Sequence, residues 1–386
     1  MGVKNQNFLK RENHLLVLRL IIKNHPLTRS DISKKTVMSF TSASRIVASL
    51  LDAGLIEEKY YQYQGSGRKA TYLVPKEDAV ISFGVELDRN KIRIGCMDFM
   101  GELIVSKNLD YTVKDPSETV QYIADQIREI IDEEAFHKET ITGVCIGLPG
   151  LVNIEDGMVE LSTQFGWRQV PLKQMIEKEL GLPALVENEL KLKAIAEYEQ
   201  VDPSVIKDMV ILGLGSGVGS VLISEGAIYR GKDNFAGEIG HTIVNPNGNF
   251  CTCGNFGCIQ TYIAEEFLLK EASKVKPIKC IQDILREMDK GERWAERIIH
   301  QAVTYAAMTI NNLVNIHNPH LVIVSGFLVE SYPTIQNMIF KEYNTEIRGE
   351  RLNKSELQLS KTKSKGIVIG AGLIMQQEYL QDYYFV

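Results

Sequence analysis

Three of the six cysteines, Cys251, Cys253 and Cys258, fall within eight residues, and His241 stands ten residues before the first of them. One imidazole and three thiolates make the soft, tetrahedral ligand set that suits a structural Zn2+. Gly248, Gly254 and Gly257 permit the tight turns that four converging ligands need. Four protein ligands leave no position for a reactive water, so the expected role is structural. Free buried thiols are the alternative reading; in a reducing compartment, crowding of this kind favours metal over disulfides. Glu238 precedes His241 by three residues, so one helical turn there puts both side chains on the same side. One nitrogen of His241 can then bind metal while the other donates to a ligand hydroxyl.

The elements that must position these groups follow from pattern. The chain has 386 residues, 44% apolar and 24% charged, which is the profile of two or three globular units. No run approaches the roughly 18 uninterrupted apolar residues of a membrane span. The first seven residues lack the apolar core of a secretory signal, so a cytoplasmic location is expected. From Val80 onward, apolar strand-like runs (81–86, 91–98, 102–109, 142–148, 209–214, 321–324) alternate with amphipathic helical ones (120–136, 172–180, 305–316). That alternation predicts an α/β architecture. The apolar helical run near residue 305 serves equally well as core or as a subunit contact.

The N-terminal fifth is different in charge. Residues 1–75 hold twelve Lys/Arg against five Asp/Glu, a net of +7, whereas the remainder carries −13. A cationic head on an acidic body fits a polyanion partner, because phosphate neutralisation dominates non-specific DNA affinity. Apolar positions at Leu15, Leu16, Leu18, Leu20 and Ile21 predict a first helix. Thr28 and Ser39 offer hydroxyl N-caps for a second and a third. In the third, Ala43, Ile46, Val47, Leu50 and Leu51 form a buried stripe. Leu55 to Tyr63 and Ala70 to Val74 read as strands around a basic turn, Gly65-Ser66-Gly67-Arg68-Lys69. Three helices and a basic-tipped hairpin make a winged helix-turn-helix. Its expected DNA-reading set is Ser39, Thr41, Ser42, Ser44 and Arg45 on the third helix, with Arg68 and Lys69 on the wing. A trihelical protein-interaction module is the alternative. Pro75-Lys76-Glu77-Asp78 reads as a linker.

Six motifs run in order along the body: Gly147-Leu148-Pro149-Gly150, Phe165-Gly166-Trp167, Glu187-Asn188-Glu189, Gly213-Leu214-Gly215-Ser216-Gly217-Val218-Gly219, Gly237-Glu238-Ile239-Gly240-His241, and the cysteine cluster. In that order they resemble the ROK family of bacterial sugar kinases and repressors. The resemblance implies a two-lobed, sugar-kinase-like α/β domain of the actin-like ATPase, ribonuclease H-like kind behind the winged head. It also implies domains at 1–77 (DNA binding), 78–192 (first lobe, completed by a C-terminal helix 370–386) and 193–369 (second lobe with the zinc knuckle). The head places the chain with the repressors.

Family kinases carry Asp-x-Gly-Gly-Thr after the first strand of this domain; here the stretch is Glu86-Leu87-Asp88-Arg89-Asn90, without glycine. Side chains fill the space a phosphate needs, and Asp88 adds a like charge. The second glycine run has Leu214 where kinases usually have Thr, and Glu189 stands where the Asn-Asp pair of kinases holds its general base. No kinase activity is therefore expected, and the surviving glycines read as strand and turn packing. The resemblance further implies a sugar-binding set of Asn188, Glu189, Glu238, His241 and Gln260. Gln260 stands where relatives have Glu, and it donates as well as accepts. A polar network that only fixes the interlobe hinge is the bland alternative. Expected partners are a double-stranded DNA operator, a sugar effector and further copies of the chain as homodimer or homotetramer, with no membrane. A DNA-binding sugar kinase and a regulator controlled by a phosphotransfer-system protein are the competing readings.

Overall fold

A computed structural model describes residues 6–60, 71–348 and 355–382. The chain divides into two units, one of Met1–Gly150, Ile154–Glu187 and Val368–Val386, the other of Leu151–Asn153 and Asn188–Ile367.

The first unit begins with the helices α1 (Gln6–Asn24), α2 (Arg29–Thr36) and α3 (Phe40–Asp52) and the antiparallel strands β1 (Ile56–Tyr60) and β2 (Thr71–Pro75). Thr28 starts α2 through a reciprocal cap: its hydroxyl accepts from Asp31 N while Asp31 accepts from Thr28 N. Ser39 starts α3 by accepting from Ser42 N. Ala43, Ile46, Val47 and Leu50 of α3 bury one stripe against Val17, Leu18, Ile21 and Ile32. Each fully buried aliphatic chain of this kind contributes roughly 1.5–3 kcal/mol. The segment at 75–78 is not a slack linker. Pro75 ends β2, Lys76 N donates to Leu55 O, Phe99 N donates to Glu77 O, and residues 77–79 form a 3-10 turn.

Behind the head, β3 (Ile81–Asp88), β4 (Lys91–Met97), β5 (Leu103–Asp110) and β6 (Ile141–Leu148) form a sheet, with α4 (Pro116–Glu133) placed between β5 and β6 in sequence. β3 pairs antiparallel with β4 and parallel with β6. The short strand β7 (Leu151–Asn153) belongs to the second unit, while β8 (Met158–Ser162) and β9 (Trp167–Val170) pair antiparallel in the first. The helix α5 (Leu172–Leu180) leads to β10 (Ala184–Asn188), which completes the order β10-β6-β3-β4-β5. The C-terminal helix α13 (Gly366–Asp382) lies on this sheet from Val368 onward: a Cβ on Gly84 of β3 would sit 2.1 Å from Val368 O. Gln376 Nε2 donates to Ser82 Oγ and Asp98 O. Further along, Leu380 joins the core of the head, and Arg11 donates to Gln381 O.

In the second unit α6 (Glu189–Tyr198) precedes the hairpin of β11 (Met209–Leu214) and β12 (Val218–Ser224), edged by β13 (Ala227–Ile228). The sheet continues through the parallel strands β14 (Leu321–Ser325) and β15 (Glu356–Leu359). Helices α7 (Gln260–Ile263), α8 (Glu265–Ser273), α9 (Ile281–Asp289), α10 (Arg293–His317), α11 (Phe327–Glu330) and α12 (Pro333–Glu342) complete it. The 25-residue α10 supplies the largest share of its core, with Ala295, Ile299, Ala306, Ala307 and Ile310 all fully buried.

Candidate functional site

His241, Cys251, Cys253 and Cys258 come together, their ligand atoms all within 4.8 Å of one another. His241 Nδ1 is 3.6 Å from Cys251 Sγ, and the Cys253 and Cys258 sulfurs are 3.6 Å apart. A tetrahedron with Zn–S of about 2.3 Å and Zn–N of about 2.0 Å has edges of about 3.8 Å between sulfurs and about 3.6 Å between nitrogen and sulfur. The four groups therefore fit a zinc ion in spacing as well as in type. Backbone hydrogen bonds build the turns: Cys251 N donates to Asn255 O, Gly254 N to Cys251 O and Val244 N to Gly257 O. Gly257 approaches Asn245 so closely that a Cβ would lie 1.6 Å from Asn245 O, which no other residue type could tolerate. For Cys253, desolvation pushes the thiol pKa up, but hydrogen bonds from Asn255 N and with the neighbouring ligands outweigh it and hold it at about 6. By contrast Cys96 and Cys145 of the first unit are buried, which raises their thiols, and neither belongs to the cluster.

The remaining expected polar residues belong to the same unit. Residues 239–241 make one 3-10 turn in which His241 N donates to Glu238 O, so Glu238 stands beside the imidazole. Glu238 is exposed on one side, yet desolvation by the surrounding protein raises its carboxyl pKa, with His241 and Lys191 pulling it back. Asn188 caps α6, its Oδ1 accepting from Leu190 N and Lys191 N, and Glu189 occupies the first turn, favourable for a carboxylate at a helix N-terminus. Lys191 Nζ donates to Asn234 O and Oδ1. Gln260, first residue of α7, donates from Nε2 to Cys251 Sγ at 3.2 Å.

At three turns the protein's own side chains engage the backbone, although Gly217 at the tip of the β11–β12 hairpin faces open space. At the β3–β4 turn, Asp88 Oδ1 accepts from Arg89 N and from Gln164 Nε2, both at 2.7 Å. In the β11–β12 hairpin Gly213 and Gly219 are cross-strand partners, and a Cβ on either would meet Leu190, at 2.9 Å and 3.2 Å respectively. At the start of α11, Gly326 N, Ser325 Oγ and Lys193 Nζ all donate to Glu330 Oε1, at 3.0, 2.8 and 2.6 Å. Burial alone would raise the Glu330 carboxyl; Lys193 and these donors outweigh it and hold its pKa below the usual value.

The ROK family model matches residues 82–378. The chain belongs to the ROK family. It is 27% identical over 387 residues to the xylose repressor of Caldicellulosiruptor bescii, covering 95% of this chain and 96% of that one. Among solved structures it resembles a ROK family transcriptional regulator described as a homologue of the Escherichia coli MLC protein, with a TM-score of 0.81 and 25% identity over 96% of this chain and 97% of that one. The ROK hexokinase of Thermus thermophilus shares the fold, with a TM-score of 0.68 and 21% identity over 79% of this chain and all of its own. ROK membership and the two-lobed sugar-kinase-like fold are thus established, with the helical head in front.

Within this ROK chain the expected residues fall out unequally. Asn188, Glu189, Glu238, His241 and Gln260 all belong to the second unit, but Gln260 is turned to the knuckle sulfur. On α3, Thr41, Ser42 and Arg45 are exposed, whereas Ser39 is committed to Ser42. Ser44 departs from the expected reading face: its Oγ is buried with no hydrogen-bond partner, because the inward face of α3 is wider than its apolar stripe. Arg68 and Lys69 lie outside the described residues. Leu190, Lys193 and Glu330 make contacts at these turns that motif reading passed over. Leu190 directly follows Glu189, so its position was visible; Lys193 and Glu330 are 137 residues apart, and no sequence spacing links them. Among the described residues no helix is long and apolar enough to cross a membrane.

Proposed function

We propose that this chain is a sugar-responsive, DNA-binding transcriptional repressor of carbohydrate-utilisation genes, working in the cytoplasm as a dimer or tetramer. The observation that carries this reading is the contrast between the converging His241, Cys251, Cys253 and Cys258 and turns where Asp88 and Glu330 accept the protein's own hydrogen bonds and Leu190 packs on Gly213 and Gly219. Its similarity to a xylose repressor and to a ROK regulator supports it. In this reading His241, Cys251, Cys253 and Cys258 hold a structural zinc. His241 Nδ1 lies on the side of Cys251 Sγ, so holding a metal through it would leave Nε2 for a sugar hydroxyl, which Asn188, Glu189 and Glu238 would also address. Thr41, Ser42 and Arg45 read the operator from α3, with Ser39 capping that helix and Arg68 and Lys69 on the wing. Sugar shifts DNA affinity only through a difference in its own affinity for two states of the protein. The first turn has lost its glycines, Asp88 there is held by Arg89 N and Gln164, and Leu190 packs on Gly213 and Gly219, so in this reading the domain binds sugar without transferring phosphate and is not an enzyme.

The test is fluorescence anisotropy of the full chain with duplexes from its own upstream region, with and without xylose, glucose and N-acetylglucosamine, alongside a coupled ADP-release assay. Sequence-specific binding altered by one sugar, with no ADP release, is expected. Arg45→Ala should weaken operator binding by about 1–3 kcal/mol. Indifference to every duplex, or sugar-dependent ADP release, overturns the reading.

A further inference from the structure

One bond joins the zinc knuckle to the group expected to address sugar. Gln260 Nε2 donates to Cys251 Sγ at 3.2 Å, and Cys251 is fully buried. The other end of the amide lies near Gly240, where a Cβ would be 3.2 Å from Gln260 Oε1, so the side chain rests against the turn that carries His241. Gln260 has a firm base, because the next three residues of α7, Thr261, Tyr262 and Ile263, are buried and Thr261 Oγ1 donates to Cys258 O at 2.7 Å. The residue is thus held between two of the four ligand-bearing segments.

The chemistry of that position depends on the amide. A metal-bound thiolate carries concentrated negative charge, and an N–H aimed at it drains part of that charge and orients the sulfur, in the way hydrogen bonds to ligands commonly tune metal sites. A carboxylate has no proton to give at neutral pH and would put a second negative charge about 3 Å from the sulfur. Glutamate, the residue the family resemblance places here, would therefore disfavour the very contact that this chain makes.

We propose that Gln260 is a positioning residue of the metal knuckle, with its amide committed to Cys251 and withdrawn from sugar recognition. The effector is then addressed from this side by His241 Nε2 and Glu238 alone, so the hydroxyl that relatives bind with Glu is left without an anionic acceptor here. This inference rests on the zinc assignment made above.

The experiment uses the full chain as wild type, Gln260→Glu and Gln260→Ala, with zinc content measured by mass spectrometry. Zinc affinity is measured by competition with a chromogenic chelator, and the cobalt-substituted proteins are examined by their thiolate-to-metal charge-transfer absorption. Both variants should hold zinc at least 10-fold more weakly, Gln260→Glu the more so, and the cobalt charge-transfer bands should shift, which a residue that merely packs would not cause. The alanine variant covers the case in which buried charge unfolds the knuckle. If wild type holds zinc and both variants match it in affinity and spectrum, the role given to Gln260 is wrong while the zinc assignment stands. A gain in sugar affinity by Gln260→Glu at unchanged zinc affinity overturns it in the same way. Wild type without zinc removes both.

Discussion

The knuckle and the glycine turns of the second unit are built from equally recognisable motifs, and they have opposite outcomes. At the knuckle, donors from residues 241, 251, 253 and 258 point at one another across distances that an ion spans. At the β11–β12 hairpin and the start of α11, the glycines survive, but Leu190 covers the first pair and Glu330 occupies the amide and hydroxyl donors of the second. A motif residue is kept for chemistry only when its neighbours leave it something to act on. Gly213 and Gly219 have a leucine packed on them; Cys251 and Cys258 are buried too, but their sulfurs face the other members of the cluster.

Breaking the knuckle should have the largest effect. Cys251→Ser is expected to lose bound zinc and more than about 4 kcal/mol of stability, read by metal content and urea unfolding; unchanged stability in the metal-free protein would remove the contrast. Next comes the internal anion. Lys193 and Glu330 have side chains only 8% and 16% exposed, and Glu330→Gln should cost about 3 kcal/mol by leaving a buried ammonium without its counter-charge. The sign with pH follows from the lowered carboxyl pKa: the stabilisation is complete above the ordinary Glu value and is lost as pH falls through the lower folded value. Acid unfolding of wild type and variant should therefore converge at low pH.

The filled turns are tested more finely by Gly213→Ala, which should cost about 1–3 kcal/mol through overpacking against Leu190. Placed on a Leu190→Ala background the same change should cost clearly less, and a double-mutant cycle in thermal unfolding measures the difference. Equal costs on both backgrounds would mean that the glycine is not there for packing. The smallest effect extends the distinction to the head. Ser39 is a cap, so Ser39→Ala should lower stability by about 1 kcal/mol, while the salt dependence of DNA binding, which counts phosphate contacts, stays the same.

Much of this was legible in advance, and for physical reasons. Thr28 and Ser39 marked helix starts because a hydroxyl before an amphipathic run has few other uses. The run 209–214 matched β11 because β-branched and aliphatic residues bounded by glycine have few alternatives, and 172–180 matched α5 from its leucine and isoleucine spacing. Helices α8 and α12 were missed because each buries only two residues, too few to make a clear period, whereas α9, with Ile281, Ile284 and Leu285 buried on one face, was legible and passed over. At the site, the ligand set followed from residue type and spacing. What could not be read was where flexible polar ends turn: Gln260 to a sulfur nine residues away, Ser44 to the inside, Glu330 to a lysine in a distant helix. Those choices are made by tertiary neighbours, and one sequence does not contain them locally.

The C-terminal helix α13 rests on β3 at Gly84 and ends inside the core that Leu15, Val17 and Leu18 of the head contribute to. Together with the bonded turn at 77–79, it gives the reader two attachments where a tether would give one. Two attachments restrain the rotation of the head more than one would. If the proposed function holds, an assembly of such subunits would act as a calliper with fixed jaws, sensitive to the distance between two half-sites as well as to their bases.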